Sequence, residues 1–271
     1  MNTTKILFTD LDGTLLDKEK NVSAHTLDVI HRMQEEGHKF VLSSGRPLNS
    51  VLAVAEQFGF TGPGSYVSSF NGGLIYDCYE KNTLLRSPIK FEYVKYIFDR
   101  ARDAGRHVHT YSSTHIVSQW DSPELAHYRR HVKMPAIVTD DILGTLTEEP
   151  MKIIVMDLEG RERLEKFRTD MEPWAEGKVS STFSSPLLLE YGSLISTKGN
   201  GIRFMCDYLN IPIENAIAAG DEENDTTMLE AAGVGVAMAN GTDIAKSAAD
   251  YVTENDNNHG GIAEVIEKFI L

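Results

Sequence analysis

The chain has 271 residues, 41% hydrophobic and 24% charged, with 26 basic against 40 acidic side chains and a formal net charge of −14. Its length lies near the ceiling for one hydrophobic core, so one large domain or two smaller ones are expected. So acidic a chain argues against general binding to nucleic acid or anionic membrane, which need a basic footprint, yet it admits a small phosphorylated ligand where a metal ion and a few cations reverse the sign locally.

The first stretch alternates strand and helix. Ile6-Leu7-Phe8 is a short continuous apolar run, as in a parallel strand covered on both faces. Ser23 can cap a helix that presents Leu27, Ile30 and Met33 on one side and stops at Gly37. Lys39 to Leu42 reads as a second strand, ending in Ser43-Ser44-Gly45-Arg46-Pro47 and opening a helix to about Phe58. Ser65 to Ser69 reads as a third strand, stopped by Asn71-Gly72-Gly73.

The middle differs in style. A helix from Phe91 to Ala104 precedes two short β runs, His107 to Ser112 and His115 to Gln119. Then come a helix from Pro123 to Val132, a strand from Lys152 to Asp157, a helix from Arg161 to Trp174, and the runs Val179 to Phe183 and Leu187 to Tyr191, which look paired. The end returns to alternation: a helix from about Gly199 to Leu209, a strand from Ala216 to Ala219, a helix to Gly233, a strand from Val234 to Met238, and a last helix from Ile262 to Phe269. The expected fold is α/β, a doubly wound parallel-sheet core of residues 1–82 and 191–271, with an inserted α+β domain of residues 83–190.

Cys78 and Cys206 make no CxxC or zinc-type spacing, so free thiols in a reducing cytoplasm are expected. No basic-then-apolar leader is visible, and no apolar run approaches the ~20 residues needed to cross a bilayer.

In an open parallel sheet, the loops beyond the carboxyl ends of the strands line the binding crevice. Four such segments are polar here: Asp10-Leu11-Asp12-Gly13-Thr14, Ser44-Gly45-Arg46, Thr197-Lys198-Gly199, and Gly220-Asp221-Glu222-Glu223-Asn224-Asp225. If their strands are neighbours, Asp10, Asp12, Asp221 and Asn224 or Asp225 meet in one small volume. Carboxylates that close repel one another. A hard divalent cation such as Mg²⁺ removes the conflict and can take substrate phosphate as a further ligand.

"DLDGTLL", "SSGRP", the Lys198-Gly199 pair and "GDEENDTTML" resemble, in order and spacing, the four signature segments of the haloacid dehalogenase superfamily. The large insert between the second and third, with "FNGG" at 70–73 and "VGVAMANGTDIAKSAADYVT" at 234–253, resembles its Cof-type phosphatases with an α+β class II cap. The resemblance implies a Mg²⁺-dependent phosphatase of small metabolites, sugar phosphates or phosphorylated cofactors, with specificity in the cap. Asp10 would be the nucleophile and form an aspartyl phosphate. Asp12 would be the general acid and then base. Lys198 would neutralise Asp10, and Lys198, Ser44 and Gly45 would bind the phosphoryl group. Mg²⁺ would sit on Asp10, the backbone carbonyl of Asp12, and Asp221. Asn224 would contact the phosphoryl group or a metal-bound water, and Asp225 would orient Lys198 or the metal shell. Arg46 is read either as a salt bridge at the start of its helix or as a phosphate contact, and Asn71 either as a turn residue or as a substrate contact. Alternatives on the same scaffold are a phosphomutase, a phosphonate-cleaving enzyme or a non-catalytic metabolite sensor.

Overall fold

The computed structural model describes residues 3–132 and 134–271. Ile6–Thr9 forms β1, whose four residues are all buried, the pattern of a strand covered on both faces. Ser23 caps α1 (Ala24–Glu35), its side chain accepting from the Thr26 amide, while Val29, Ile30 and Met33 turn inward at helical spacing. β2 (Lys39–Ser43), α2 (Leu48–Gln57) and β3 (Ser65–Ser69) continue the alternation. A 3-10 turn at Phe70–Gly72 leads into β4 (Leu74–Asp77) and β5 (Asn82–Arg86), which add to the same sheet in antiparallel fashion. No residue of β5 is buried, so as an edge strand it lacks the apolar run that marks a covered one.

The inserted segment comprises α3 (Phe91–Asp103), β6 (His107–Tyr111), β7 (Ile116–Ser118), α4 (Pro123–Val132), β8 (Ala136–Val138), α5 (Ile142–Thr145), β9 (Lys152–Met156), α6 (Arg161–Ala175), β10 (Val179–Ser185) and β11 (Leu188–Ser193). Its six-stranded sheet has the order β10-β11-β9-β6-β7-β8 and is antiparallel except for β7–β8. Val94, Ile97 and Phe98 of α3 and Leu164, Phe167 and Met171 of α6 pack with Val108, Ile153 and Val155 in one core. Because side chains alternate along a strand, Lys152 and Ile154 point to the other face. There Lys152 Nζ donates to Glu190 Oε1 at 2.9 Å, with both side chains buried.

The chain closes with α7 (Lys198–Leu209), β12 (Ala216–Gly220), α8 (Thr226–Ala231), β13 (Val234–Ala237), α9 (Asp243–Ser247), β14 (Tyr251–Val252) and α10 (Gly261–Phe269). These strands join the first sheet in the order β14-β13-β12-β1-β2-β3-β4-β5, parallel from β14 to β3. On one face, Leu7, Phe40 and Leu42 pack with Ile30, Met33, Val51 and Ile266. On the other, Ile6, Phe8 and Val41 pack with Ile202, Met205, Met228 and Leu229. The chain thus forms two compact units, Met1–Arg86 with Ser196–Leu271, and Ser87–Ile195. Cys78 and Cys206 are free and buried. Among the described residues, no helix is long and apolar enough to cross a membrane.

Candidate active site

β1 lies between β12 and β2, so the segments leaving the three carboxyl ends emerge side by side. Asp10 is the first residue past β1. Its amide still donates to the Ala219 carbonyl at 2.9 Å, so strand pairing fixes where its carboxylate starts. Asp221 is the first residue past β12, and its Oδ1 accepts from Thr14 Oγ1 at 2.7 Å. Gly13 lets the first loop pass this close: its φ is +84°, and a Cβ there would lie 2.2 Å from Asp221 Oδ2.

Lys198 is the first residue of α7, behind Thr197, whose side chain caps the helix by accepting from the Asn200 amide. Its side chain is fully buried, and Nζ donates to Asp10 Oδ1 and Asp225 Oδ1, both at 2.5 Å. A buried ammonium at the positive end of a helix dipole is tolerable only with such counter-charges. Asp225 is held from its other side, Oδ2 accepting from the amides of Asp221 at 2.9 Å and Glu222 at 3.0 Å. Both oxygens of Asp225 are therefore engaged, and its geometry suits orienting Lys198 and the Asp221 loop.

Asp10, Asp221 and Asp225 offer oxygens that all lie within 4.8 Å of one another. Three carboxylates around one ammonium leave an excess of negative charge in a buried place. Burial pushes the Asp10 carboxyl up to about 8, with Asp225 and Asp221 adding to the rise against the pull of Lys198. Burial likewise pushes Asp221 up to about 7, opposed by the Thr14 hydrogen bond and reinforced by Asp225. Lys198 is shifted up despite its burial, because two carboxylates face it. Among the described residues, no protein donor reaches Oδ2 of Asp10 or Oδ2 of Asp221. Hard oxygen donors, excess negative charge and two unengaged carboxylate oxygens fit a divalent cation.

The carboxylate of Asp12 is drawn elsewhere. Arg46 grips it with two bonds, Nε to Oδ2 at 2.8 Å and an Nη to Oδ1 at 2.6 Å, and Lys20 Nζ donates to Oδ1 at 2.6 Å. Burial alone would raise its pKa, but Arg46 and Lys20 outweigh it and hold the group below the usual carboxylate range. The salt bridge offered by one of the two sequence readings of Arg46 is thus present, with Asp12 as its partner. Lys20 is a partner that the sequence reading missed. It is exposed, belongs to no motif, and is carried back by the turn of residues 17–20, in which it takes a φ of +63°.

Ser44 follows β2, buried, with its hydroxyl accepting from the Arg46 amide at 3.2 Å and its own amide donating to Ser68. Gly45 lies 3.0 Å from Asn71 Oδ1, measured from the Cβ it lacks. Asn224 Nδ2 donates to Asn71 Oδ1 at 3.3 Å. The sequence-derived residues therefore fall into two adjoining groups, Asp10–Lys198–Asp225–Asp221 and Asp12–Arg46, with Ser44, Gly45 and Asn224 beside Asn71.

The profile of the haloacid dehalogenase-like hydrolases matches residues 7–266. The 5-amino-6-(5-phospho-D-ribitylamino)uracil phosphatase YitU of Bacillus subtilis (strain 168) is 27% identical over 270 residues, covering 96% of this chain and 95% of that protein. The crystal structure of a haloacid dehalogenase-like hydrolase from Bacteroides thetaiotaomicron is 29% identical and superposes with a TM-score of 0.87, covering 98% of this chain and 99% of that one. A subclass IIB sugar phosphatase of the same superfamily, 21% identical, shares the fold with a TM-score of 0.81 over 98% of this chain and 99% of its own.

Proposed function

The chain belongs to the haloacid dehalogenase-like hydrolases and is a phosphoric monoester hydrolase, and on that premise we propose that it hydrolyses small phosphorylated metabolites in the cytoplasm, with Mg²⁺, through a phosphoryl-enzyme formed on Asp10. The observation that supports this most is the Lys198 ammonium shared between Asp10 and Asp225 beside Asp221. Asp10 and Asp221 would hold the cation, together with the backbone carbonyl of Asp12. When bound, it supplies positive charge beside the phosphoryl oxygens.

The remaining work falls to the chain's own groups. Lys198 aims Asp10 through its hydrogen bond and opposes the rise that burial imposes on its carboxyl. An Asp10 oxygen attacks phosphorus, the bond from phosphorus to the leaving oxygen breaks, and Asp12 gives that oxygen a proton. Water then attacks the phosphoryl group, Asp12 takes its proton, and the Asp10–phosphorus bond breaks to release inorganic phosphate. Ser44, Lys198 and Asn224 hold the equatorial oxygens, and positioning of this kind supplies most of the acceleration in phosphoryl transfer. The substrate named for the Bacillus subtilis relative, a phosphorylated ribitylaminouracil, supports a small polyol or sugar phosphate monoester. Specificity would lie in the inserted unit.

Asp10→Asn keeps shape and removes the nucleophile. Phosphate release from a chromogenic phosphate ester in Mg²⁺ should fall by about a thousandfold or more. Near-wild-type release from this variant would remove the assignment of Asp10, and insensitivity of the native enzyme to EDTA would remove that of the cation.

A further inference from the structure

Residues 70 to 72 form an unusual knot of backbone. Phe70, Asn71 and Gly72 have φ values of +52°, +55° and +86°, so two side-chain-bearing residues in succession occupy the left-handed region. Asparagine tolerates that region, whereas an aromatic residue does so rarely. Such conformations persist only where the surroundings over-determine them, and here they do. The Asn71 amide donates to the Ser44 carbonyl at 3.0 Å and the Phe70 amide to the Arg46 carbonyl at 3.2 Å. A Cβ on Gly72 would lie 2.3 Å from the Thr197 carbonyl, directly before Lys198. The side chain of Asn71 reaches Asn224. One three-residue turn therefore touches the segment after β2, the start of α7 and the segment after β12.

The chemistry of the Asn71–Asn224 contact is specific. A carboxamide has one end that donates and one that accepts. Asn71 presents its Oδ1 to Asn224, which meets it with its NH₂ end and so turns the Asn224 carbonyl away. One N–H of that NH₂ goes to Asn71, leaving the second for another acceptor. A phosphoryl dianion accepts and never donates, so an Asn224 amide rotated by half a turn would present it with a repelling oxygen.

We propose that Asn71 is a positioning residue for the phosphoryl pocket, holding Asn224 with its N–H end toward the phosphate and bracing the Ser44–Gly45 backbone opposite. This rests on reading Asn224 and Ser44 as phosphoryl ligands. Asn71→Gly tests it, because glycine keeps the left-handed backbone and removes the carboxamide that carries the acceptor. The variant should keep the wild-type Tm within a few degrees, lose about 10- to 100-fold in kcat/KM, and bind inorganic phosphate correspondingly more weakly as a competitive inhibitor. Asn224→Ala should lose as much, and the double variant little more, since both remove one interaction. Asn210→Gly, at another left-handed asparagine, which caps α7, should leave kcat/KM unchanged. Asn71→Asp keeps shape and acceptor but adds charge, and should raise the Ki of phosphate at least tenfold. An Asn71→Gly enzyme within twofold of wild type, fully additive losses, or an unchanged Ki in Asn71→Asp overturns the inference. If Asn224→Ala is itself fully active, the phosphoryl-ligand reading fails and takes this inference with it. If Asn224→Ala is crippled and Asn71→Gly is not, only the inference fails.

Discussion

At the scale of single residues, the two acids of "DLDGT" sit two positions apart in opposite electrostatic settings. Asp10 faces one ammonium and two further carboxylates, and Asp12 faces two cations. A proton donor must be protonated in the reactive form, so the cations beside Asp12 set the pH range in which it can act. Lys20 has 59% of its side chain exposed, and Lys20→Ala removes one of the two. The Asp12 carboxyl should then titrate at higher pH, and the alkaline limb of kcat/KM should move up with it. A limb that stays in place or moves down would detach Asp12 from that step. Asp10, Asp221 and Lys198 were legible in the sequence because each borders a strand or helix whose apolar pattern is plain. Lys20 was not, since its role depends on a left-handed turn that leaves no periodic trace.

At the scale of elements, legibility followed burial. β1, β2 and β12 are buried through most or all of their length and read as continuous apolar runs. β5 escaped the alternation because an exposed edge strand needs no apolar residues, and β4, though mostly buried, is only four residues long and shows no clear period. In the inserted unit, helices and paired strands could be read, but not that β9 and β11 would bury an ion pair between them. Lys152 and Glu190 are both largely withdrawn from solvent. Breaking such a pair leaves one charge uncompensated, so Glu190→Leu alone should cost about 3–5 kcal/mol, whereas Lys152→Met with Glu190→Leu should recover most of it. Denaturant unfolding measures both, and a double variant no more stable than the single would refute the argument.

At the scale of the whole molecule, the acid cluster couples stability to cation and pH. Asp10 and Asp221 titrate near 8 and 7 in the fold, above the ordinary 3.8. Without a cation, the protonated acids favour the folded chain. That contribution is complete below pH 3.8 and is lost as pH rises through 7 and 8. A divalent cation displaces those protons, so its affinity should rise at least about tenfold between pH 6 and 8. At a concentration of a hundred Kd it adds about 2.7 kcal/mol. The rise in Tm on replacing EDTA with Mg²⁺ should therefore widen from pH 6 to 8, and a constant or shrinking rise would contradict the cluster's role. The threading of the chain has a further consequence, during synthesis. β1 pairs with β12, so Thr9 must await Ala219. At about 5–20 residues per second, the ribosome takes roughly 10–40 s to deliver that partner. Within that interval the inserted segment emerges with a core of its own, while Ile6 and Phe8 still lack the partners from the last third of the chain. The nascent polypeptide should accordingly be a client for chaperones that bind apolar strands until its final third has left the exit tunnel.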